Sequence, residues 1–312
     1  MSHSSQLVQI RSLDPRVQIF RKNFEMPDGS GTMEVDAYVI VTEQFAAICD
    51  TLLCPADVEE MLTSLKTEIG DRPLLVVNSH ADWDHYWGNG YFTGKQAAPI
   101  IAQAHGPERI RSEEARISLL ESQQQDPLFK TVTLVEPTIT FESNLTLRGG
   151  DLTLELFSTA GHRIDHLAIW IPELRLLLGF DAIETPFPII EDATTVPTMF
   201  ATLEHFLSLE PEEVYCSHGK LTGIVVIQRN LAYLKELQRR CQLYLQSQQR
   251  SQKAEAAQID APVDGLIGYS LADVIADIGA NLAVASDDTF YTWAHQNNIR
   301  CIMEWLENHQ GH

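Results

Sequence analysis

Four potential metal ligands lie within six residues of one another, directly after a short apolar run. The run, PLLVVN, extends from Pro73 to Asn78, and the segment that follows Ser79 reads HADWDH. A short and continuously apolar run of this kind predicts a strand that is buried on both faces. Because strand ends combine a rigid scaffold with free loops, this position predicts a binding site at the end of the strand.

The spacing inside HADWDH indicates how its side chains are arranged. In an extended segment, residues two apart point the same way, so His80, Asp82 and Asp84 are expected to converge on one side. His85 is then directed to a neighbouring position. Imidazole and carboxylate groups are common ligands of zinc and similar ions, and this one loop has donors for two of them.

The first half of the chain alternates strands with helices. Residues 17–50 predict a hairpin and a following strand, and apolar residues at helical spacing predict a helix over 56–69, before the PLLVVN strand. A strand that ends at His105 and a polar helix over 108–125 continue the alternation. Short strands separated by turns follow between 131 and 180, so the pattern predicts sheets packed face to face with helices outside.

The segment from about residue 221 onward has a helical pattern. A stripe of leucines predicts a long amphipathic helix, and two further helical patterns cover 270–283 and 287–309. The Gln- and Ser-rich stretch 246–252 predicts a solvated linker. We therefore expect a helical extension after the sheet layers.

Composition argues against several classes of protein. The chain of 312 residues has a formal net charge of −21, which repels phosphate backbones and anionic lipid surfaces, so neither nucleic acid nor a membrane is expected as a partner. No apolar run reaches the ~18 residues of a spanning helix, and the first residues show no apolar signal region. Five cysteines without a CxxC pair argue against a disulfide framework. These observations predict a cytoplasmic protein.

Three further ligand-type residues directly follow apolar runs, namely His162 in FSTAGH, Asp181 in LLLGFD and His218 in VYCSH. Together with HADWDH and with Asp50 in CDT, they resemble the five motifs of the metallo-β-lactamase superfamily, which run Asp, HxHxDH, His, Asp, His. The resemblance covers about residues 17–235 and preserves the order of all five motifs.

This resemblance implies a fold and a division of the chain. The fold is an α/β four-layer αββα sandwich, which the pattern of strands and helices also predicts. The metallohydrolase domain is expected over residues 1–235. A helical extension is expected over residues 236–312, packed on or near the active-site face.

The resemblance also implies a binuclear metal centre. Carried over motif by motif, seven residues become the expected ligands: His80, Asp82 and His162 at the first ion, Asp84, His85 and His218 at the second, and Asp181 between them. Asp50 is expected to brace the metal loops without binding metal. Asp84 is also the expected catalytic residue, because it would orient the attacking hydroxide as well as bind metal.

One position departs from the family pattern. Where the family usually has His, this chain has Asp82, and a carboxylate makes the site more negative and harder in ligand character. Two divalent ions per chain are expected, and zinc is the first choice of metal. Relative to the usual family pattern, Asp82 shifts the preference toward iron or manganese. The flavodiiron proteins resemble this chain in having an acidic residue here. They carry a flavodoxin-like domain after the core, whereas the sequence after 235 has a helical pattern and no glycine-rich flavin loop.

Other residues near the motifs have both a functional and a structural interpretation. His166, four residues after His162, is expected either to hydrogen-bond a ligand or to be structural. Trp83 is expected either to contact substrate or to separate the metal site from the core, and Lys220 is a candidate substrate contact for which a solvated loop lysine is the favoured interpretation. Four isolated residues are expected to be structural: His105, His205, His295 and Cys216.

The ligand set is most directly interpreted as that of a metal-dependent hydrolase, which cleaves an ester, thioester, lactone or phosphoester bond in a small molecule. The alternative is a di-iron redox or oxygen-handling protein on the same fold, which Asp82 favours and the missing flavin domain disfavours. A non-catalytic scaffold is a third hypothesis, but none of the seven ligand positions is Ala, Ser or Asn. A homodimer is the default oligomeric expectation.

Overall fold

The computed structural model describes residues 7–26, 31–220, 222–251, 262–278, 285 and 288–309. The chain divides by its internal contacts into two units. The first unit contains the described residues of 1–158, 165–180 and 215–218, and the second contains those of 159–164, 181–214 and 219–312.

The described residues form two sheets. Their strands are β1 (Leu7–Arg11), β2 (Val17–Glu25), β3 (Thr32–Val41), β4 (Ala46–Cys49), β5 (Leu74–Val77), β6 (Ile100–Gln103), β7 (Ile139–Phe141), β8 (Asn144–Arg148), β9 (Thr153–Ser158), β10 (Leu167–Ile171), β11 (Leu176–Leu178) and β12 (Glu213–Tyr215). The seven-stranded sheet has the order β1-β2-β3-β4-β5-β6-β7, and the five-stranded sheet has the order β12-β11-β10-β9-β8. The PLLVVN run forms β5, as its apolar character predicts.

Strand direction changes within the larger sheet. Strands β1 to β4 pair antiparallel, whereas β4 to β7 pair parallel. Parallel neighbours need crossover connections, and the first of these contains helices α1 (Pro55–Ser64) and α2 (Lys66–Ile69). Because β4 and β5 run in the same direction, Asp50 and His80 leave the sheet at the same edge.

Strand β4 is apolar on both faces, and its alternate residues belong to two different cores. In β4, Ala46 and Ile48 belong to one buried cluster, which also contains Val58 and Met61 of α1. Ala47 and Cys49 belong to the other cluster, which combines side chains of both sheets. Successive strand residues point to opposite faces, so one short apolar strand serves a helix-covered layer and a sheet-to-sheet layer.

The remaining helices fall into two groups. The first unit contains α3 (Trp83–Tyr86), α4 (Gly106–Ile110) and α5 (Glu113–Gln125), and the second contains α6 (Val196–Ser208), α7 (Ile224–Ser251), α8 (Val263–Ile267), α9 (Leu271–Ile278) and α10 (Thr289–His309). The two sheets and the helical C-terminal region confirm the predicted sandwich with a helical extension. No helix among the described residues is long and apolar enough to cross a membrane.

Three sequence predictions on the helical region have different outcomes. The linker predicted over 246–252 is wrong up to Ser251, because α7 continues to that residue through Gln and Arg, which are good helix formers. The helix predicted over 270–283 begins as α9, and residues 279–283 lie outside the described ranges. The division predicted at residue 235 falls within α7 and stays a prediction.

Candidate metal centre

The motif HADWDH is divided between a loop and a short helix. His80 and Asp82 lie in the loop after β5, and Asp82 is the extended residue that precedes α3. Asp84 and His85 lie on α3. The extended arrangement expected from the spacing therefore does not continue through these two residues. The backbone N–H of His85 donates to the carbonyl of Asp82 over 3.0 Å, which closes this turn.

Three ligand-type residues come together in the first unit. The Oδ2 atom of Asp84 lies 3.4 Å from Nε2 of His85 and 3.3 Å from Nε2 of His218. The three donor atoms of this group lie within 4.8 Å of one another. His218 comes from the loop after β12, 133 positions beyond His85 in the numbering, so the sheet brings together residues that are far apart in the chain.

The other ring nitrogen of each of these histidines is anchored. His85 donates through Nδ1 to the Asp50 carboxylate over 2.8 Å, and His218 donates through Nδ1 to the backbone carbonyl of Glu34 over 2.7 Å. Carboxylate and carbonyl oxygens only accept, so each Nδ1 carries a proton, and each Nε2 is the ring nitrogen on the side of Asp84. Metal-binding histidines are oriented by hydrogen bonds of this kind.

Asp50 links several parts of this arrangement. Its carboxylate accepts the backbone N–H of Ser79 and the hydroxyl of Ser79, both over 2.7 Å, in addition to His85. Its backbone has φ of 64°, a left-handed conformation that Asp tolerates better than most residues. Asp50 therefore ties the loop after β4 to the start of the motif loop.

His80 is oriented through the same serine. The single hydroxyl proton of Ser79 goes to Asp50, so its oxygen accepts from Nδ1 of His80, at 3.0 Å. Nε2 of His80 lies 3.6 Å from Oδ2 of Asp82. The His80 ring also packs beside His85 and His166, with ring centroids 4.1 Å and 5.1 Å away.

A close approach of two backbones supports the motif loop. The backbone N–H of Thr51 donates to the carbonyl of His85 over 2.8 Å. Gly88 lies directly against the carbonyl of Thr51, where a Cβ atom would overlap that oxygen. Position 88 therefore requires glycine, because any side chain would push the two segments apart.

The second unit brings together two other predicted ligands. Nε2 of His162 lies 3.6 Å from Oδ2 of Asp181, and Nδ1 of His162 donates to the carbonyl of Ile189 over 3.0 Å. Both side chains are buried. This pair repeats the geometry of His85, with one ring nitrogen anchored on an oxygen and the other facing a carboxylate.

Electrostatics keep Asp84 ionised. Its burial raises the pKa of the carboxyl group, but the nearby rings of His85 and His218 outweigh burial and hold the pKa well below its usual range. The group is therefore a carboxylate at neutral pH. An ionised oxygen between two imidazole nitrogens is a donor set suited to a divalent cation, and the residues present fit such an ion.

Trp83, a candidate substrate contact, belongs to an aromatic cluster of the first unit. Its ring lies 5.9 Å from Phe24, 5.5 Å from Trp87 and 5.9 Å from Phe129, measured between centroids. Trp83 is half-buried, whereas the other three rings are buried. The other candidate contact, Lys220, is exposed.

Two residues that the sequence interpretation missed lie beside the motif loop. Arg109 of α4 donates to Asp82 over 2.7 Å and to Asp165 over 2.6 Å. Asp165 also accepts the backbone N–H of Ala81 over 2.8 Å. An arginine 27 positions after its carboxylate partner follows no helical or strand period, so no sequence pattern indicates this contact.

None of the histidines expected to be structural belongs to a ligand group among the described residues. His105 and His205 are exposed. His295 of α10 is buried, and it donates through Nε2 to the carbonyl of Tyr269 over 2.7 Å. Its Nδ1 then accepts from the hydroxyl of Tyr233 over 3.0 Å.

Solved structures with the same fold are metallo-β-lactamases. A metallo-beta-lactamase from Pontibacter korlensis is 18% identical, with a TM-score of 0.57, and the match covers 73% of this chain and 98% of that one. The DIM-1 metallo-beta-lactamase exposed to ceftazidime is 18% identical, with a TM-score of 0.54, over 73% of this chain and 95% of that one. FIM-1 from Pseudomonas aeruginosa, in its mono-zinc form, is 15% identical, with a TM-score of 0.53, over 72% and 93%.

At these identities the likeness shows the fold. No curated protein matches the chain. The family model described as the metallo-beta-lactamase superfamily matches residues 31–218, more than half of the chain, and this range contains the seven predicted ligands. The chain therefore belongs to the metallo-beta-lactamase superfamily.

Proposed function

We propose that this protein is a binuclear metal-dependent hydrolase that cleaves an ester, thioester, lactone or phosphoester bond in a small molecule. The superfamily fold is that of metal-dependent hydrolases. The observation that carries the proposal is the position of Asp84, an ionised carboxylate that faces Nε2 of both His85 and His218. A donor set of imidazole and carboxylate groups is typical of hydrolytic metal sites.

Seven residues hold the two ions in this proposal. His80, Asp82 and His162 would hold the first ion, Asp84, His85 and His218 the second, and Asp181 would lie between them. Support comes from the anchored imidazoles, because His80, His85, His162 and His218 each use Nδ1 on a neighbouring oxygen. The remaining nitrogen is the one that faces a carboxylate in every case.

Two divalent ions in such a site supply a hydroxide nucleophile at neutral pH and polarise the scissile carbonyl or phosphoryl group. The chain's own contribution is positional. Asp84 would accept a hydrogen bond from the attacking water and orient it, and the leaving group would take its proton either from Asp84 or from the displaced water. Asp50 keeps His85 in the tautomer that leaves Nε2 available for binding, and the carbonyl of Glu34 does the same for His218.

The metal and the partners follow from charge and donor type. We propose zinc as the resident metal, because zinc is the usual metal of this fold and imidazole suits it. A net charge of −21 disfavours nucleic acids, so the substrate is a small molecule. Trp83 and Lys220 remain candidate substrate contacts, and a homodimer in the cytoplasm remains the default expectation.

The first experiment is elemental analysis of protein purified without added metal or chelator, with an absorbance spectrum. About two zinc ions per chain are expected. Esters, thioesters, lactones and phosphodiesters are then screened with the zinc-loaded protein and with protein stripped by chelation. Hydrolysis that is lost on stripping and restored by zinc supports the proposal, whereas a protein that binds no metal after reconstitution contradicts it.

A second candidate function is a di-iron redox or oxygen-handling protein. The observation that favours it is Asp82, a carboxylate where the family usually has His, because carboxylates suit iron better than zinc. About two iron ions per chain, visible absorbance and dioxygen consumption with a chemical reductant would favour this function. Iron content combined with hydrolysis, and without dioxygen consumption, would instead favour an iron-loaded hydrolase.

A further inference from the structure

Arg109 joins two carboxylates beside the motif loop, all within the first unit. One guanidinium nitrogen donates to Oδ1 of Asp82 over 2.7 Å, and another donates to Oδ1 of Asp165 over 2.6 Å. Arg109 lies on α4, which follows β6 in the chain. Strand β6 pairs with β5, the strand that leads into the motif loop, so the sheet places Arg109 near this loop. The planar guanidinium thus fixes the separation and direction of both carboxylates.

This cluster is largely removed from water. The side chain of Asp165 is 1% exposed, that of Asp82 is 19% exposed and that of Arg109 is 24% exposed. Burial by itself lowers the pKa of the Arg109 guanidinium, but the charges of Asp82 and Asp165 outweigh burial and raise it. Because water is largely excluded from the cluster, the contacts of Arg109 with the two carboxylates are stronger than those of an exposed ion pair.

The cluster controls both the backbone and a side chain of the motif. Asp165 accepts the backbone N–H of Ala81 through Oδ2, over 2.8 Å, while its Oδ1 accepts from Arg109. Ala81 stands between His80 and Asp82, so the loop is held at the position between two predicted ligands. Any rotation of the Asp82 side chain would break its contact with Arg109.

The two oxygens of Asp82 consequently have different roles. Oδ1 is committed to Arg109, and Oδ2 lies 3.6 Å from Nε2 of His80. A carboxylate held in this way can offer a cation one oxygen from a fixed direction, as an imidazole does. The guanidinium also offsets the negative charge that Asp82 introduces where the family usually has a neutral His.

We propose that Arg109 is a positioning residue that makes Asp82 a one-oxygen ligand and thereby sets the affinity of the metal ion on the His80 side. The proposal rests on the binuclear centre of the proposed function. Partners of ligands, when removed, typically weaken metal binding by about 10- to 100-fold. Arg109→Gln is expected to lower the binding affinity for one of the two zinc ions by this factor and to change the affinity for the other by no more than about threefold.

A purely electrostatic role for Arg109 predicts the opposite sign. If the guanidinium acted only through its positive charge, its removal would tighten zinc binding, because a cation near the site repels the ion. Arg109→Lys separates the two roles further. Lysine keeps the charge but loses the planar two-point contact, so positioning predicts an affinity between those of the unchanged protein and Arg109→Gln.

The experiment is zinc titration of the full-length, metal-free protein against a chromophoric chelator, with zinc content measured independently after dialysis. Arg111→Gln is the matched control, because Arg111 is the next arginine along the chain and its side chain forms an exposed ion pair with Glu136 over 2.8 Å. The control is expected to bind both zinc ions as the unchanged protein does. Thermal unfolding of each metal-free variant identifies one that has not folded.

Each outcome of the titration decides the proposal. A lower affinity for only one zinc ion in Arg109→Gln supports the proposal, and an intermediate affinity for that ion in Arg109→Lys supports it further. Unchanged affinities, tighter binding or equal weakening of both ions in a folded variant overturn it and leave the proposed hydrolase intact. If Arg109→Gln does not fold, Arg109→Lys and Asp165→Asn decide by the same criterion. An unchanged protein that binds no zinc overturns the proposed function itself.

Discussion

Two buried histidines, His85 of the candidate metal centre and His295 of α10, differ in what their ring nitrogens contact. His85 donates through Nδ1 to Asp50 and turns Nε2 toward the Asp84 carboxylate at 3.4 Å. His295 donates through Nε2 to the carbonyl of Tyr269 and accepts at Nδ1 from the Tyr233 hydroxyl. One ring has an anchored side and a side that faces an anion, while the other has a neutral partner on both sides.

This difference separates a proposed ligand from a structural side chain. A metal ion needs a ring nitrogen that faces other donors, and Nε2 of His85 faces an ionised carboxylate. Nδ1 of His295 accepts a hydrogen bond from the Tyr233 hydroxyl, and that hydroxyl also accepts from the Asn298 amide over 3.3 Å. The two sites should therefore respond in opposite ways when they are altered, one through metal content and the other through stability.

The largest effect is expected from Asp84→Ala. Removing this carboxylate takes away a proposed ligand and the group proposed to orient the attacking water, so hydrolysis should fall by about 10²- to 10⁴-fold and bound zinc should decrease. The matched control is Asp71→Ala, an exposed aspartate, which should retain zinc and activity. Full zinc content together with full activity in Asp84→Ala would refute the assignment.

A large effect of the other kind is expected from His295→Ala. The substitution leaves a cavity, removes the acceptor of the Tyr233 hydroxyl and removes the donor to the Tyr269 carbonyl, so the free energy of unfolding should fall by about 2 to 4 kcal/mol. Zinc content should not change. Thermal unfolding measures this loss, with the exposed His205→Ala as control. Loss of zinc without loss of stability would reverse the roles given to the two histidines.

The pH dependence of stability is a smaller effect at the same residue. Burial lowers the pKa of His295 below its usual value of 6.5, so the folded state keeps the ring neutral where the unfolded chain would protonate it. The contribution of the neutral His295 ring to the free energy of unfolding is complete above pH 6.5. It is lost as the pH falls from 6.5 through the lowered pKa. The Tm of the unchanged protein should therefore decrease more steeply below pH 6.5 than that of His295→Gln.

The smallest effect is expected from Lys220→Ala. Lys220 is exposed beside the loop that carries His218, and an exposed charge contributes at most about 1 kcal/mol to a contact. The kcat/KM should change by no more than about fivefold, and zinc content should not change. A much larger increase in KM would assign Lys220 to substrate binding.

The sequence predicted the parts of the site that depend on local pattern. The apolar run before Ser79 forms β5, and the separated His and Asp residues follow strands or short loops, as the motif order implies. A short strand buried on both faces leaves a recognisable run, since every side chain in it must be apolar. The superfamily and the sandwich fold could be inferred from these patterns.

The contacts that orient the ligands could not be inferred in the same way. Arg109 and Asp165 are 56 positions apart, and the acceptor for His218 is a backbone carbonyl that any residue type could supply. The partners of His295 are likewise a hydroxyl and a carbonyl from separate segments. Such contacts depend on how elements pack, and neither period nor composition records packing.

The hydrogen bond from His218 to the carbonyl of Glu34 joins positions 184 residues apart. A ribosome that adds about 5 to 20 residues per second needs roughly 10 to 40 s to synthesise the intervening chain. During that interval the nascent chain contains Glu34 but not His218. A cation captured early by HADWDH would have only part of its ligands and would exchange readily. If the centre binds metal as proposed, the ion that it finally holds would therefore reflect the ions available after synthesis is complete.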